Sequence, residues 1–293
     1  MKFWQSLAFL EMDQLLDIAK ASDELGYHGL TLSDHLFYPR DHITQYPYSA
    51  DGAPIWKPES HWPDVWVSIA AMAAVTRDIR FTTNVYIPGV RDVFTVAKAV
   101  STAAVLSKDR VAMGIGAGWS KNEFNATGQD FHVRGKRLDE MIPALRELWS
   151  PGWNEFHGDH IDFDALTMEP TPAKPVPIYV GGDSPAALSR AARLADGWIG
   201  IGYKPADAEE RIGQLKQRLA DEGRDDDDFE IILALYALPS VDLYGRFADL
   251  GVTGITWSPW MLANLDDPRF ASPLQARLAA CEDFATDIIA KLQ

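Results

Sequence analysis

The 293 residues suffice for two average domains or for one closed α/β barrel of about 250 residues. A formal net charge of −15 excludes nucleic acid and anionic membrane as partners, since both are bound through basic patches, and the single cysteine, Cys281, excludes an internal disulfide. No stretch reaches the roughly 20 apolar residues that span a bilayer, and the N-terminal MKFWQSLAFLEMD has no secretory cleavage pattern, so the cytoplasm is the expected location.

Short apolar runs alternate with helical patterns along the whole chain. Residues 2–9 (KFWQSLAF) read as a strand; Asp13 then caps a helix with Leu15, Ile18, Ala19 and Leu25 on one face, closed by Gly26. Residues 28–35 (HGLTLSDH) form a second strand, and after a long loop Trp62-Pro63 opens a helix through Val75. RFTTNVYI (80–87) is the third strand, and Val93, Val96, Ala97, Val100 and Ala104 mark the next helix. RVAMGIG (110–116) is the fourth strand, followed by a helix with Leu138, Met141, Ile142, Leu145 and Leu148 at helical spacing and Pro143 expected to kink it.

The rhythm then breaks. EFHGDHIDF reads as a hairpin turning at Gly158-Asp159, and TPAKPVP leads to the fifth strand, PIYVG. Ser184-Pro185 starts a helix, DGWIGIG (196–202) is strand six, and Ile212, Leu215 and Leu219 mark a helix ended by Gly223. The acidic run 225–228 reads as a solvated loop. FEIILALYA (229–237), a helix over 244–250, TGITWS (253–258) and a helix over 274–292, in which Cys281 is expected to be buried, complete eight strand-plus-helix units. Strands that are apolar nearly throughout, each followed by a helix, imply a parallel sheet covered on both faces. Eight close into a (β/α)8 TIM barrel, here one domain over 1–293 with an insertion after strand two and a hairpin insertion before strand five.

In such a barrel the chemistry gathers at the C-terminal strand ends. Four features fall there: Asp34-His35, the segment Asn84-Val85-Tyr86, the loop Gly116-Ala117-Gly118-Trp119, and Gly181-Gly182-Asp183-Ser184. The last has the composition of an anion site, because two glycines admit a bulky group, Ser184 caps a helix and Pro185 gives up an otherwise orphaned amide. An ordinary short turn before a capped helix is the competing reading. GIGAGWSKNEF (114–124) fails the G-x-G-x-x-G spacing of a dinucleotide turn, so the phosphate is placed at Gly181-Gly182-Ser184.

His35 is a candidate acid or base, with a satisfied structural histidine as the competing reading; a direct pair with Asp34 is disfavoured because adjacent strand residues face opposite ways. His157, Asp159 and His160 read as solvated turn residues, and no metal site is expected. The insertion 36–61 carries Phe37, Tyr38, Tyr46, Tyr48 and Trp56, which either wall a substrate pocket or anchor the loop. Trp257 and Trp260 either line the pocket or seal the last loop, and we favour sealing.

TTNVYIPGVRDVFTVAKAV, LSKDRVAMGIGAGWSKNEFNATGQDF with Arg134 and Asp139-Glu140 beyond it, and VGGDSPAALSRAARLADGW together resemble the luciferase-like superfamily of flavin and deazaflavin oxidoreductases, over roughly two thirds of the chain. The resemblance implies a (β/α)8 barrel, often a homodimer, that binds FMN or the deazaflavin F420 noncovalently. It implies a ring against the ends of strands three and four, near Asn84, Val85, Tyr86 and 116–118, where the glycines of 114–118 let the backbone lie flat beside it, a phosphate at Gly181, Gly182, Asp183 and Ser184, and a non-prolyl cis peptide near 84–86.

Ser33-Asp34-His35 and the Asn122-Glu123…Thr127-Gly128 pattern are similar to the deazaflavin-dependent branch, which implies that His35 exchanges a proton while hydride passes between F420 and a small alcohol or carbonyl, imine or enone. That branch's sugar-phosphate dehydrogenases carry a catalytic Glu immediately after the glycine loop, where this chain has Trp119. Trp119, with Phe37 and Trp56, therefore points to an apolar or cyclic substrate. The alternatives are an FMN-dependent monooxygenase, since flavin forms an oxygen adduct that a deazaflavin does not, and a cofactor-binding barrel without turnover.

Overall fold

The computed structural model describes residues 1–224, 228–261 and 273–292. The first four strands are β1 (Lys2–Ser6), β2 (Gly29–Leu32), β3 (Arg80–Thr83) and β4 (Val111–Ile115). A separate antiparallel hairpin follows, β5 (Asn154–His157) with β6 (Asp162–Leu166). The chain returns with β7 (Ile178–Gly181), β8 (Gly197–Tyr203), β9 (Glu230–Leu235) and β10 (Gly254–Trp257). Among the described residues eight parallel strands close a barrel in the order β1-β2-β3-β4-β7-β8-β9-β10, with β10 pairing back to β1.

Helices α1 (Leu15–Glu24), α2 (Val65–Val75), α3 (Val93–Leu106), α4 (Lys121–Ala126), α5 (Arg134–Leu148), α6 (Pro185–Leu194), α7 (Pro205–Asp221), α8 (Val241–Asp249) and α9 (Leu274–Phe284) connect and flank the strands. Alternation along the strands divides the apolar residues. Phe3, Leu30, Phe81 and Met113 belong to the large core cluster that includes the helices. Trp4, Ala112, Tyr179, Ile199 and Ile232, from five different strands, form a second cluster that fills the barrel, with Val85 packed against it.

Several local expectations shift. The strands end earlier than the apolar runs, β2 at Leu32 and β3 at Thr83, so residues 33–35 and 84–87 lie beyond the regular strands at the C-terminal rim, where Tyr86 keeps a parallel bridge to Ile115. Asp13 does not cap α1, because Met12–Gln14 forms a 3-10 turn ahead of it. Pro63 lies outside α2, whose cap is Asp64, accepting from Trp66 N and Val67 N at 3.0 Å each. Helix α5 runs continuously through Pro143, and the C-terminal helix passes through a π segment over Ala285–Ile289. Cys281 is buried within α9. The acidic run expected as a solvated loop lies, apart from Asp228, outside the described residues.

The rest of the family-like motif braces these connections. The Glu140 carboxylate accepts from the backbone N–H groups of Asp159, His160 and Ile161 and fixes the hairpin turn. Arg190 donates to Asp139 at 2.5 Å, and Arg134 donates to the carbonyls of Gly118 and Phe131. No described helix is long and apolar enough to cross a membrane.

Candidate active site

A cavity of about 640 Å³ opens at the C-terminal ends of the strands, within the range of small-molecule sites. Its floor is the segment after β3. Asn84–Val85 is a cis peptide; Asn84 N donates to Leu32 O at 2.6 Å, Tyr86 N to Gly114 O at 2.8 Å, and Ser33 Oγ to the Asn84 carbonyl at 2.9 Å. Val85 inserts between two glycines. A Cβ at Gly116 would meet Val85 Cγ2 at 2.7 Å, and one at Gly181 would meet Cγ1 at 2.5 Å. The glycine of the β4 loop thus makes room for Val85, and Val85 rather than Gly116 lines the cavity.

Asp34 and His35 go to separate partners. Asp34 takes a bidentate grip from Arg91, at 2.8 Å on each oxygen, and accepts from Ile87 N at 3.0 Å. Arg91 lies 4.3 Å above the Tyr86 ring. Burial works against the Arg91 charge, but the hydrogen bonds and charge of Asp34 outweigh it and hold the guanidinium above its ordinary pKa. His35 Nδ1 lies 3.3 Å from Glu123 Oε1 and 3.4 Å from Oε2. Glu123, only 4% exposed, also accepts from Leu36 N at 2.6 Å.

Around the imidazole stands a wall of indoles, with ring centroids at 4.7 Å for Trp56, 4.8 Å for Trp62 and 5.7 Å for Trp119. Tyr46 packs edge-on against both Trp56 and Trp119, and burial pushes its phenol well above the ordinary value, so it stays neutral. Phe9 and Trp257 also line the cavity. Among the described lining residues there is no Lys or Arg. Three buried polar atoms of the lining have no partner: Asn84 Oδ1, Trp62 Nε1 and Trp257 Nε1.

Of the residues singled out from sequence, His35, Asn84, Val85, Trp56, Trp119, Gly181 and Gly182 meet in this cavity. Tyr86 is buried beneath Arg91 and Trp66. Gly116 lies behind Val85 and Ile87, Gly118 packs against Ile87 and Phe124, Ala117 packs against the main core, and Phe37 faces outward, 40% exposed. Ser184 caps α6 through Ala187 N at 3.2 Å; Gly182, at φ +107°, passes its carbonyl to Trp198 Nε1 at 2.7 Å. Asp183 borders an adjoining groove of about 340 Å³ with Asp207 and Arg211. Trp257 lines the cavity, contrary to the sealing role favoured for it, whereas Trp260 is buried, with Arg277 over its ring.

Glu123 and Trp62 are not assigned to the site by sequence, and Tyr46 is offered as pocket wall or loop anchor. For Glu123 a signal existed: it belongs to the Asn122-Glu123…Thr127-Gly128 pattern that carries the resemblance to the deazaflavin-dependent branch. At the hairpin, His157 bonds Asp162 at 2.8 Å, and no described cluster of His, Cys, Asp or Glu could hold a metal.

A family profile described as luciferase-like monooxygenase matches residues 5–241. An uncharacterised protein of Mycobacterium tuberculosis is 34% identical over 295 residues, covering all of both chains. An F420-dependent glucose-6-phosphate dehydrogenase of Nakamurella multipartita is 27% identical over 284 residues, 94% of this chain and 79% of that one. Among solved structures, a monooxygenase from Streptomyces bottropensis has a TM-score of 0.75 at 19% identity with both chains fully covered. The F420-dependent tetrahydromethanopterin reductase of Methanopyrus kandleri has a TM-score of 0.73 at 13% identity, covering 100% of this chain and 99% of that one. At those identities the structural likeness is one of fold, but the profile spans most of the barrel and its matched residues include every strand end that builds the cavity except β10's: the chain belongs to the luciferase-like monooxygenase family.

Proposed function

We propose that the protein is an oxidoreductase that moves hydride between the deazaflavin F420 and a small, uncharged, largely apolar alcohol, carbonyl, imine or enone. The observation that carries this reading is His35, set among three tryptophans on a cavity whose floor is the segment of the Asn84–Val85 cis peptide. The relative named as an F420-dependent dehydrogenase supports the choice of cofactor.

The residues present fit such a cofactor. An unpaired buried polar atom costs about 1–3 kcal/mol, so Asn84 Oδ1, Trp62 Nε1 and Trp257 Nε1 favour a ligand with polar atoms at its edge. Gly181, Gly182 and Ser184 at the N-terminus of α6 would hold its phosphate, with Asp183 flanking it. When bound, the deazaflavin supplies a two-electron hydride carrier. His35 exchanges the proton at the substrate oxygen or nitrogen. Trp56, Trp62 and Trp119 exclude water and offer flat apolar contact, while a lining without Lys or Arg gives a phosphorylated substrate no counter-charge.

We also infer a homodimer. Helix α2, VWVSIAAMAAV, has no polar face, and Val67, Ala71, Ala74 and Val75 are exposed, Val67 to 71%.

The test of function is titration of the purified protein with F420 and FMN separately, followed by fluorescence quenching. Micromolar binding of F420 is expected. Binding of FMN with none of F420 replaces this reading with the flavin monooxygenase, which the same phosphate cradle suits, and binding of neither removes both.

A further inference from the structure

We propose that Glu123 is the positioning residue of His35, holding the imidazole with its proton on Nδ1 so that Nε2 reaches the cavity as a proton acceptor. The proposal deepens the hydride-transfer reading and rests on it for the step served.

An ionised carboxylate only accepts, so the contact of Glu123 with Nδ1 requires the proton there. The carboxylate is itself fixed. Its Oε1 accepts from Leu36 N at 2.6 Å, which ties the orienting group to the backbone next to the histidine that it orients. The first turn of α4 is held in turn by the insertion: Thr44 Oγ1 donates to Trp119 O at 2.7 Å, Asn122 Oδ1 accepts from Ile43 N at 2.9 Å, and Asn122 Nδ2 donates to Asp41 O at 3.0 Å. The tryptophan wall sets the ring plane.

Of the other charged or titratable groups nearby, Asp34 is turned away to Arg91. His42 stacks on Trp119 at 5.9 Å and is held towards its neutral form by burial and by His35. That leaves Glu123 as the group that sets the His35 proton among the described residues.

In the oxidative direction the substrate O–H bond breaks and its proton passes to Nε2. The C–H bond breaks with its electron pair leaving as hydride while the C=O bond forms, and a bound deazaflavin would supply the two-electron acceptor for that hydride. The imidazolium then faces the Glu123 carboxylate. In reverse, Nε2 returns the proton to the carbonyl oxygen.

Glu123→Gln reverses the donor pattern. Its amide oxygen stays on Leu36 N–H, its NH2 is left towards Nδ1, and the imidazole moves its proton to Nε2, where it can no longer accept. The test is long-range ¹H–¹⁵N NMR of the full-length protein labelled at histidine, at about pH 8 where imidazole is neutral, with the His35 signals identified from His35→Gln. Wild type is expected as the Nδ1–H tautomer and Glu123→Gln as Nε2–H. An Nε2–H tautomer in wild type overturns the proposal without recourse to any variant, as does an unchanged tautomer in a folded Glu123→Gln.

In F420 reduction by a panel of cyclic alcohols, kcat of Glu123→Gln is expected to fall about 100-fold with KM within about threefold; an unchanged kcat overturns the positioning role. Failure of F420 to bind, with the tautomers as stated, refutes the hydride reading and leaves the Glu123–His35 geometry standing.

Discussion

Asp34→Asn is the perturbation that most directly tests how the cavity floor is held. The side chains of Asp34 and Arg91 are 3% and 14% exposed, and two 2.8 Å contacts join them, with Ile87 N on the same carboxylate. Asparagine keeps the volume but presents one acceptor where three N–H groups now converge, and its amide hydrogens meet donors. Removing one partner of a buried pair costs about 3–5 kcal/mol, and the oxygen that remains places this case near about 3 kcal/mol. With an unfolding entropy of about 2.1 cal/mol/K per residue over 293 residues, that corresponds to a drop in Tm of about 5 °C. Calorimetry of Asp34→Asn, Arg91→Met and the double variant reads both the loss and the coupling, expected above about 2 kcal/mol. A loss under about 1 kcal/mol with no coupling would refute the claim that this pair, which anchors both the residue before His35 and the end of the Asn84–Ile87 segment, holds the floor.

Two further outcomes are expected. Burial first, and then the charges of Lys2 and Arg80, lower His28 at the opposite end of the barrel to about 4. The unfolded chain takes up that proton near pH 6.5 and the folded protein only near 4, so stability is full above about pH 6.5 and falls by about 3 kcal/mol as pH drops to about 4. Urea unfolding across that window checks it: His28→Gln should flatten the curve, and an unchanged curve removes His28 as the cause. Val67→Lys places a charge on the bare face of α2 and is expected to shift light-scattering mass from dimer to monomer while leaving F420 binding measurable; a monomeric wild type refutes the dimer.

The sequence by itself determined the barrel and the location of its chemistry. Eight apolar runs separated by helical stripes admit few other closures, and polar residues at the ends of those runs, Asp34-His35 and Asn84 among them, mark the active face. It also placed the capped helix at Ser184, because proline at the first helical position after a serine is a local signal that needs no tertiary partner. What the chain could not reveal locally was who meets whom. Asp34 and His35 are neighbours in sequence with opposite fates, one joined to Arg91 57 residues away and the other to Glu123 88 residues away. The loop glycines illustrate the same limit, since small size is legible in a sequence but the group that fills the vacated space is not; here it is Val85, brought in from the neighbouring strand end. Likewise Trp62 reaches His35, and Tyr46 packs on Trp56 in the role of a wall that the sequence left open against that of an anchor, only once the insertion 36–61 has folded back. Periodicity and capping are short-range properties of the backbone, whereas hydrogen-bond partners, proton positions and cavity walls are set by closure of the barrel, and only the tertiary structure decides them.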